Sequence, residues 1–340
     1  MSNKPSTSSP FVRVTQLSKR FEVGLTMRRK VIRAVDDVSF EIAKGHTLGL
    51  VGESGSGKST IGRLVVGLLP ASQGSVEIGG ISFDPKRKGA ARALWRDMQM
   101  VFQDPYSSLN PRMTIRDTLA EPLHNFRIAK GAEADRLIRS TLNSCGLPVT
   151  ALDRYPREFS GGQRQRVGIA RALIVQPKFI IADEPVSALD VSIQAQIINL
   201  VQDLKAEYGL TYLFIAHDLA VVRHVSDELA VMYRGKIIEI GAADAIYKDP
   251  KHPYTKLLIR SIPIPDRKLE ASRRRSLTAV SRDFADTGCN FASRCPMAMR
   301  VCVEQAPLLV ANGVHRKVAC HFATGPTVVA ETQIKTKQEG

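Results

Sequence analysis

Nine residues constrain this chain more than any others: Gly52-Glu53-Ser54-Gly55-Ser56-Gly57-Lys58-Ser59-Thr60. They match G-x-x-x-x-G-K-[ST] at each fixed position, the pattern of a phosphate-binding loop. Before them, Thr47-Leu48-Gly49-Leu50-Val51 reads as a short buried strand. After them, Ile61, Leu64, Val65 and Leu68 recur at helical spacing up to Pro70. Strand, loop, helix is the context the chemistry needs. The glycines let backbone N–H groups turn inward around an anion, and the helix start offers its positive dipole end. The pattern predicts a nucleotide site, with Lys58 reaching the β- and γ-phosphates and Ser59 offering a hydroxyl to Mg²⁺.

The remaining chain alternates in the same manner. Phe11-Val12-Arg13-Val14 and Val38-Ser39-Phe40-Glu41-Ile42 read as antiparallel strands, and residues 74–83 read as a hairpin turned at Gly79-Gly80. Together they predict a β layer beside the main sheet. From about 88 to 170 the pattern is mostly helical, which predicts an inserted helical subdomain. Phe179-Ile180-Ile181-Ala182 is a buried strand that ends in Asp183-Glu184, and Tyr212-Leu213-Phe214-Ile215-Ala216 is another that ends at His217. Between them Ile193, Ile197, Leu200, Val201 and Leu204 line one helix face, stopped by Gly209. Polar residues at the ends of parallel strands point to ligand binding at the carboxyl edge of the sheet. Leu229–Tyr233 and Lys236–Ile240 predict a hairpin that closes the core. Beyond Lys248 the chain turns Pro-rich and is expected to leave the sheet as a separate tail.

Asp183 occupies the strand end from which a carboxylate holds the Mg²⁺ that bridges two phosphates. Glu184 beside it is suited to orient and deprotonate an attacking water, which favours hydrolysis over mere binding. Gln103, after Met100-Val101-Phe102, and His217 are weaker signals alone. Ser160-Gly161-Gly162-Gln163 is by itself a turn and helix start, with capping-box spacing from Ser160 to Gln163.

In combination these residues identify a family. Phe159 through Arg166 resembles the signature motif of ATP-binding cassette (ABC) proteins. Phosphate loop, Gln103, signature, Asp183-Glu184, Ser187-Ala188-Leu189-Asp190 and His217 follow in the family's order. The resemblance covers roughly residues 11–260. It implies an α/β, P-loop NTPase (RecA-like) core with an antiparallel β subdomain and an inserted helical subdomain, and two such domains sandwiching two ATP molecules. On this resemblance Glu184 is the general base, and His217 contacts the γ-phosphate. Gln103 senses that phosphate, joins Ser59 and Asp183 around Mg²⁺, and couples to membrane subunits. Asp190 helps link the two sites, and Ser160, Gly161, Gly162 and Gln163 serve the partner's ATP. Phe21, in Ser18-Lys19-Arg20-Phe21, is the candidate for stacking adenine. Phe159 stands where leucine is usual in the signature, a hydrophobic exchange expected to be harmless.

Residues 102–112 and Tyr247 through Thr255 resemble the oligopeptide/dipeptide importer ATPases. That likeness implies two membrane permeases, an extracytoplasmic solute-binding protein and a second ATPase subunit, alike or different. It also implies peptides as cargo, with nickel or another small solute as the alternative. Cys289, Cys295, Cys302 and Cys320 follow the spacing C-x5-C-x6-C-x17-C. Four thiolates can hold a [4Fe–4S] cluster or Zn²⁺, or remain free thiols, and the C-x2-C pairs common in zinc sites are missing. The sequence around them resembles the cysteine-bearing tail of peptide-importer ATPases, some of which carry an iron–sulfur cluster. The expected division is a nucleotide-binding domain over 11–255, with a small Cys-containing C-terminal extension over 256–340.

The chain of 340 residues carries a net charge of +15, which raises a nucleic-acid reading. Its basic runs, Lys19-Arg20, Arg28-Arg29-Lys30, Lys86-Arg87-Lys88 and Arg273-Arg274-Arg275, are scattered and lack interleaved aromatics. A soluble nucleic-acid ABC ATPase is therefore the weaker alternative, and no nucleic-acid partner is expected. A non-hydrolysing regulatory module conflicts with the presence of both Glu184 and His217. No run approaches the ~18–20 apolar residues of a membrane-spanning helix, and Met1–Pro10 is polar. The expected location is peripheral, on the cytoplasmic face of the cell membrane.

Overall fold

The computed structural model describes residues 9–24, 30–85, 88–262 and 287–324. The basic runs at 28–29, 86–87 and 273–275 lie outside the described residues. Twelve strands form two sheets among those residues. The first sheet holds β1 (Val12–Val23), β2 (Lys30–Ile42), β4 (Gln73–Ile78) and β5 (Ile81–Ser82), in the order β2-β1-β4-β5 and antiparallel throughout. This is the expected β layer. Its strands are longer than the short apolar runs suggested, because β1 and β2 continue as a polar ribbon through register shifts.

The second sheet contains β3 (Thr47–Val51), β6 (Met98–Val101), β7 (Phe179–Asp183), β8 (Thr211–Ala216), β9 (Glu228–Tyr233) and β10 (Lys236–Ala242). It also contains β11 (Val310–Ala311) and β12 (Arg316–Val318). The order is β11-β12-β10-β9-β3-β8-β7-β6, with β9, β3, β8, β7 and β6 mutually parallel. Parallel strands covered on both faces read as near-continuous apolar runs, and β3, β7 and β8 are buried throughout, with polar residues only at their ends. Alternate residues feed two cores. Phe179, Ile181, Leu213 and Ile215 pack toward the antiparallel sheet, while Ile180, Ala182, Tyr212 and Phe214 pack toward the helical side.

The helices are α1 (Lys58–Val65), α2 (Lys88–Asp97), α3 (Pro105–Ser108), α4 (Ile115–Asn125), α5 (Gly131–Ser144) and α6 (Gly161–Leu173). They continue with α7 (Val191–Tyr208), α8 (Leu219–Val225), α9 (Ala243–Lys248) and α10 (Pro253–Arg260). The stretch 88–170 is helical as expected except for β6, an edge strand of the main sheet that pairs with β7. With only four residues, β6 is too short to show a period against its helical surroundings.

One expectation is corrected. The chain beyond Lys248 does not leave the sheet: β12 pairs antiparallel with β10, matching Glu239 with Val318 and Gly241 with Arg316, and β11 pairs with β12. Unpaired N–H and C=O groups on β10 provide the template for this addition. The boundary expected at 255 falls inside α10. Among the described residues, no helix is long and apolar enough to cross a membrane.

Candidate nucleotide site

The carboxyl ends of β3, β8, β7 and β6 lie side by side, and the loops leaving them bring the predicted residues together. The loop after β3 wraps the start of α1, where Gly57 has φ +106 and a Cβ would stand 2.2 Å from the Ala34 carbonyl oxygen. Only glycine fits there. A Cβ at Gly52 would meet the Met232 carbonyl oxygen at 2.2 Å, so the loop is pressed against its neighbours at both ends.

Lys58 Nζ donates to the carbonyls of Gly52 at 2.8 Å and Glu53 at 3.0 Å. Burial pushes its pKa down, while Glu184, Asp183 and Glu53 act in the opposite direction. Ser59 Oγ donates to Asp183 Oδ1 at 2.7 Å, which joins the two expected Mg²⁺ ligands before any metal is considered. Burial raises the Asp183 pKa and the Ser59 hydrogen bond opposes that rise.

Glu184 follows at the end of β7 with φ +46, an uncommon conformation for a non-glycine residue, and its N–H is held by the Ile215 carbonyl at 2.9 Å. Its Oε2 accepts from Gln103 Nε2 at 3.1 Å and lies 3.2 Å from His217 Nδ1. Three residues from three loops thus meet on one carboxylate oxygen. Ser54, Gly55, Gly57, Lys58, Ser59, Thr60, Gln103, Glu184 and His217 line a single cavity. The donors present suit a nucleotide with Mg²⁺: a hydroxyl and a carboxylate already adjacent, an ammonium, and backbone N–H groups at a helix start.

Other predicted residues lie elsewhere. Ser160, Gly161, Gly162 and Gln163 start α6 through a complete capping box, with Gln163 N to Ser160 Oγ at 3.3 Å and Ser160 N to Gln163 Oε1 at 3.0 Å. None of them lines the cavity. A Cβ on Gly162 would stand 2.5 Å from Ile193 Cγ2, so α6 packs closely on α7. Asp190 precedes α7 at its N-cap position without a side-chain cap bond. Phe21 lies on β1 with Lys19 Nζ 5.2 Å from its ring centre, and it too is outside the cavity lining.

Sequence reasoning missed the link between the tail and the phosphate loop. His252-Pro253-Tyr254, chemically only a turn, has a definite structural role. His252 Nδ1 accepts from Tyr254 N at 3.0 Å and caps α10, and the Tyr254 hydroxyl accepts from Glu53 N at 2.9 Å. A Pro following a capping residue was the signal available for the helix start.

The four tail cysteines share one neighbourhood: Cys289 N donates to the Cys302 carbonyl at 2.7 Å, and the charge on each of Cys295, Cys302 and Cys320 bears on Cys289. Burial raises the Cys289 thiol to about 11. Among the described residues no group of three or more His, Cys, Asp or Glu side chains is arranged to hold a metal ion, so the four thiols stand near one another without forming a closed ligand set. Cys145 is fully buried beside the end of α5, its thiol pushed up to about 12 by burial.

Comparison with known proteins identifies the family. Residues 35–187 match the family model for the ABC transporter, and residues 238–302 match that for the oligopeptide/dipeptide transporter C-terminal region. The chain is 55% identical over 248 residues to the oligopeptide transport ATP-binding protein OppF of Bacillus subtilis, covering 72% of this chain and 81% of that one. It is 47% identical over 296 residues to OppF of Salmonella typhimurium, covering 86% and 88% respectively. Among solved structures, the dimeric ATP-binding cassette MJ0796 superposes with a TM-score of 0.61 at 29% identity, covering 68% of this chain and 98% of that chain. A post-hydrolysis dimer of the same cassette, bound to ADP and Pi, superposes equally well. Fold, site and sequence together show that the chain belongs to the ABC transporter family, among the oligopeptide transport ATP-binding proteins.

Proposed function

We propose that this chain is the ATP-hydrolysing subunit of a peptide importer, with Glu184 as general base, Ser59, Asp183 and Gln103 around Mg²⁺, and residues 52–60 around the phosphates. The observation that carries the reading is the meeting of Gln103 and His217 on Glu184 Oε2, beside the Ser59–Asp183 pair. A carboxylate with two polar neighbours, next to a preassembled metal pair, is placed to take a proton from water attacking a γ-phosphate. Bound MgATP supplies the scissile phosphoanhydride and the metal's charge neutralisation. His217 and Gln103 hold the Glu184 oxygen and the water in register.

Two ATP molecules held between two subunits complete the reading. The signature helix start is formed and capped, yet lies outside its own subunit's phosphate cavity, which supports service to the ATP of a second ATPase subunit across an interface. Asp190, which follows the base in the chain at the N-cap of α7, is assigned to coupling the two sites, and Phe21 to adenine stacking. The nucleotide-binding unit is assigned to 11–255, with 256–340 as the importer-specific extension.

A groove next to Gln103, lined by Leu68, Trp95, Met100, Phe102, Leu109 and Phe126, supports docking of a permease segment. Leu68 and Phe102 are exposed at 56% and 40%, an apolar rim suited to a partner. On this reading the chain lies peripherally on the cytoplasmic face of the membrane, with two permeases and, through them, an extracytoplasmic solute-binding protein. The tail cysteines are assigned the [4Fe–4S] cluster of the resemblance. Their gathering supports it, but it requires the thiols to close around one centre. Anaerobic purification is expected to yield stoichiometric iron and visible absorption; an iron-free, colourless and folded protein removes the assignment.

Uptake of a labelled dipeptide and of nickel by cells carrying Lys58→Ala tests the cargo. Dipeptide uptake is expected to fall to background with nickel uptake intact. The reverse pattern moves the assignment to nickel, and full uptake of both overturns the importer reading.

A further inference from the structure

The second residue of the phosphate loop is an acid. Glu53 places a carboxylate beside a site built to receive the most highly charged part of a nucleotide, close enough to act on the Lys58 ammonium. Left alone, that charge opposes phosphate binding. The tail removes the difficulty. Arg294 Nη1 donates to Glu53 Oε2 at 2.8 Å and Nη2 to Glu53 Oε1 at 2.9 Å, a fork matched to both carboxylate oxygens. These residues are 241 positions apart in the chain, and the pair is partly shielded, with side chains 28% and 41% exposed.

Arg294 is itself held in place. It ends a short 3₁₀ turn, Ala292–Arg294, between Cys289 and Cys295, where Ala292 N donates to the Cys289 carbonyl at 2.9 Å and Cys295 N to the Ala292 carbonyl at 3.3 Å. Its guanidinium stands 5.8 Å from the Phe291 ring centre and 5.9 Å from that of Tyr233. Phe291 packs on Tyr254 with ring centres 5.4 Å apart, and Tyr254 holds the Glu53 N–H. The tail therefore grips residue 53 twice, by backbone through Tyr254 and by charge through Arg294.

We infer that Arg294 is a positioning residue of the nucleotide site, through which the cysteine-bearing tail neutralises Glu53 and so sets the affinity for MgATP. This rests on the assignment of residues 52–60 to the phosphates. Arg294 touches neither substrate nor reacting atoms; it acts through Glu53. A purely structural strut would not distinguish a charged from an uncharged residue 53, whereas a neutralising one must.

Steady-state hydrolysis and equilibrium MgATP binding by the full-length chain test the inference. Arg294→Ala is expected to raise KM and Kd for MgATP about fivefold, the scale of a half-exposed forked ion pair, with kcat changed less than about twofold. Adding Glu53→Gln to Arg294→Ala is expected to return KM to within about twofold of the wild type, because the unpaired charge is then gone. Arg294→Gln keeps reach and hydrogen bonding without charge, and gives the same comparison should Arg294→Ala fail to fold. Wild-type KM in the single variants, or a double variant no better than the single, overturns the inference. Lys58→Ala separates the two levels. If it loses MgATP while Arg294→Ala does not, only the role of Arg294 falls; if it binds MgATP normally, the nucleotide site falls and this inference with it.

Discussion

Asp183 and Glu184 are adjacent acids with different surroundings, and the division of work proposed for them rests on that difference. Asp183 closes β7, is buried, and meets the Ser59 hydroxyl, the pair proposed to hold Mg²⁺. Glu184 turns out of the strand through a left-handed backbone conformation, which swings its carboxylate to Gln103 and His217. Residue types at this scale were readable in advance: Lys58, Ser59, Gln103, Asp183, Glu184 and His217 all come to one cavity or its floor. The handing of Glu184 from strand to loop was not readable, because a positive φ on a non-glycine residue leaves no mark in residue type. The role of Glu53 was hidden for a related reason. It occupies a variable position of the loop pattern, and its partner Arg294 is remote in sequence.

At the scale of elements, α10 shows how a motif without evident chemistry becomes structural. His252 is 1% exposed and caps the helix through Nδ1, so the imidazole must stay neutral at that nitrogen. Burial lowers its pKa from 6.5 to about 4. An unfolded histidine takes up its proton near pH 6.5 while the folded one resists, so stability is full above pH 6.5 and falls as the pH drops toward 4. The loss should reach about 3 kcal/mol across that window. Asn is an equally good N-cap that does not titrate, so His252→Asn is expected to flatten the pH dependence of denaturant stability between those limits. An unchanged slope would show that His252 titrates normally. Strands β3, β7 and β8 were legible because burial on two faces demands unbroken apolar runs. By contrast, β6, β11 and β12 have four residues or fewer, and their pairing is decided by the neighbour's free edge.

At the scale of the whole molecule, the mixed eight-stranded sheet begins in the nucleotide core and takes in β11 and β12, so this part of the chain beyond Lys248, expected to leave the sheet, adds to its edge. This arrangement lets residues 292–294 reach a loop at residue 53. No local pattern could have announced that contact, since it depends on how β10 and β12 pair. What the resemblance implied at this scale was incompleteness: a phosphate loop and a signature proposed to serve different ATP molecules. The measurement closest to that claim is the behaviour of Glu184→Gln with MgATP, followed by sedimentation with the full complement of ATPase subunits. Removing the base while keeping the site's shape and hydrogen bonding should leave MgATP binding intact, cut turnover by at least about 100-fold, and hold the subunits in a closed dimer. Turnover near the wild-type rate, or tight MgATP binding by a particle that stays monomeric, would contradict a composite site with Glu184 as its base.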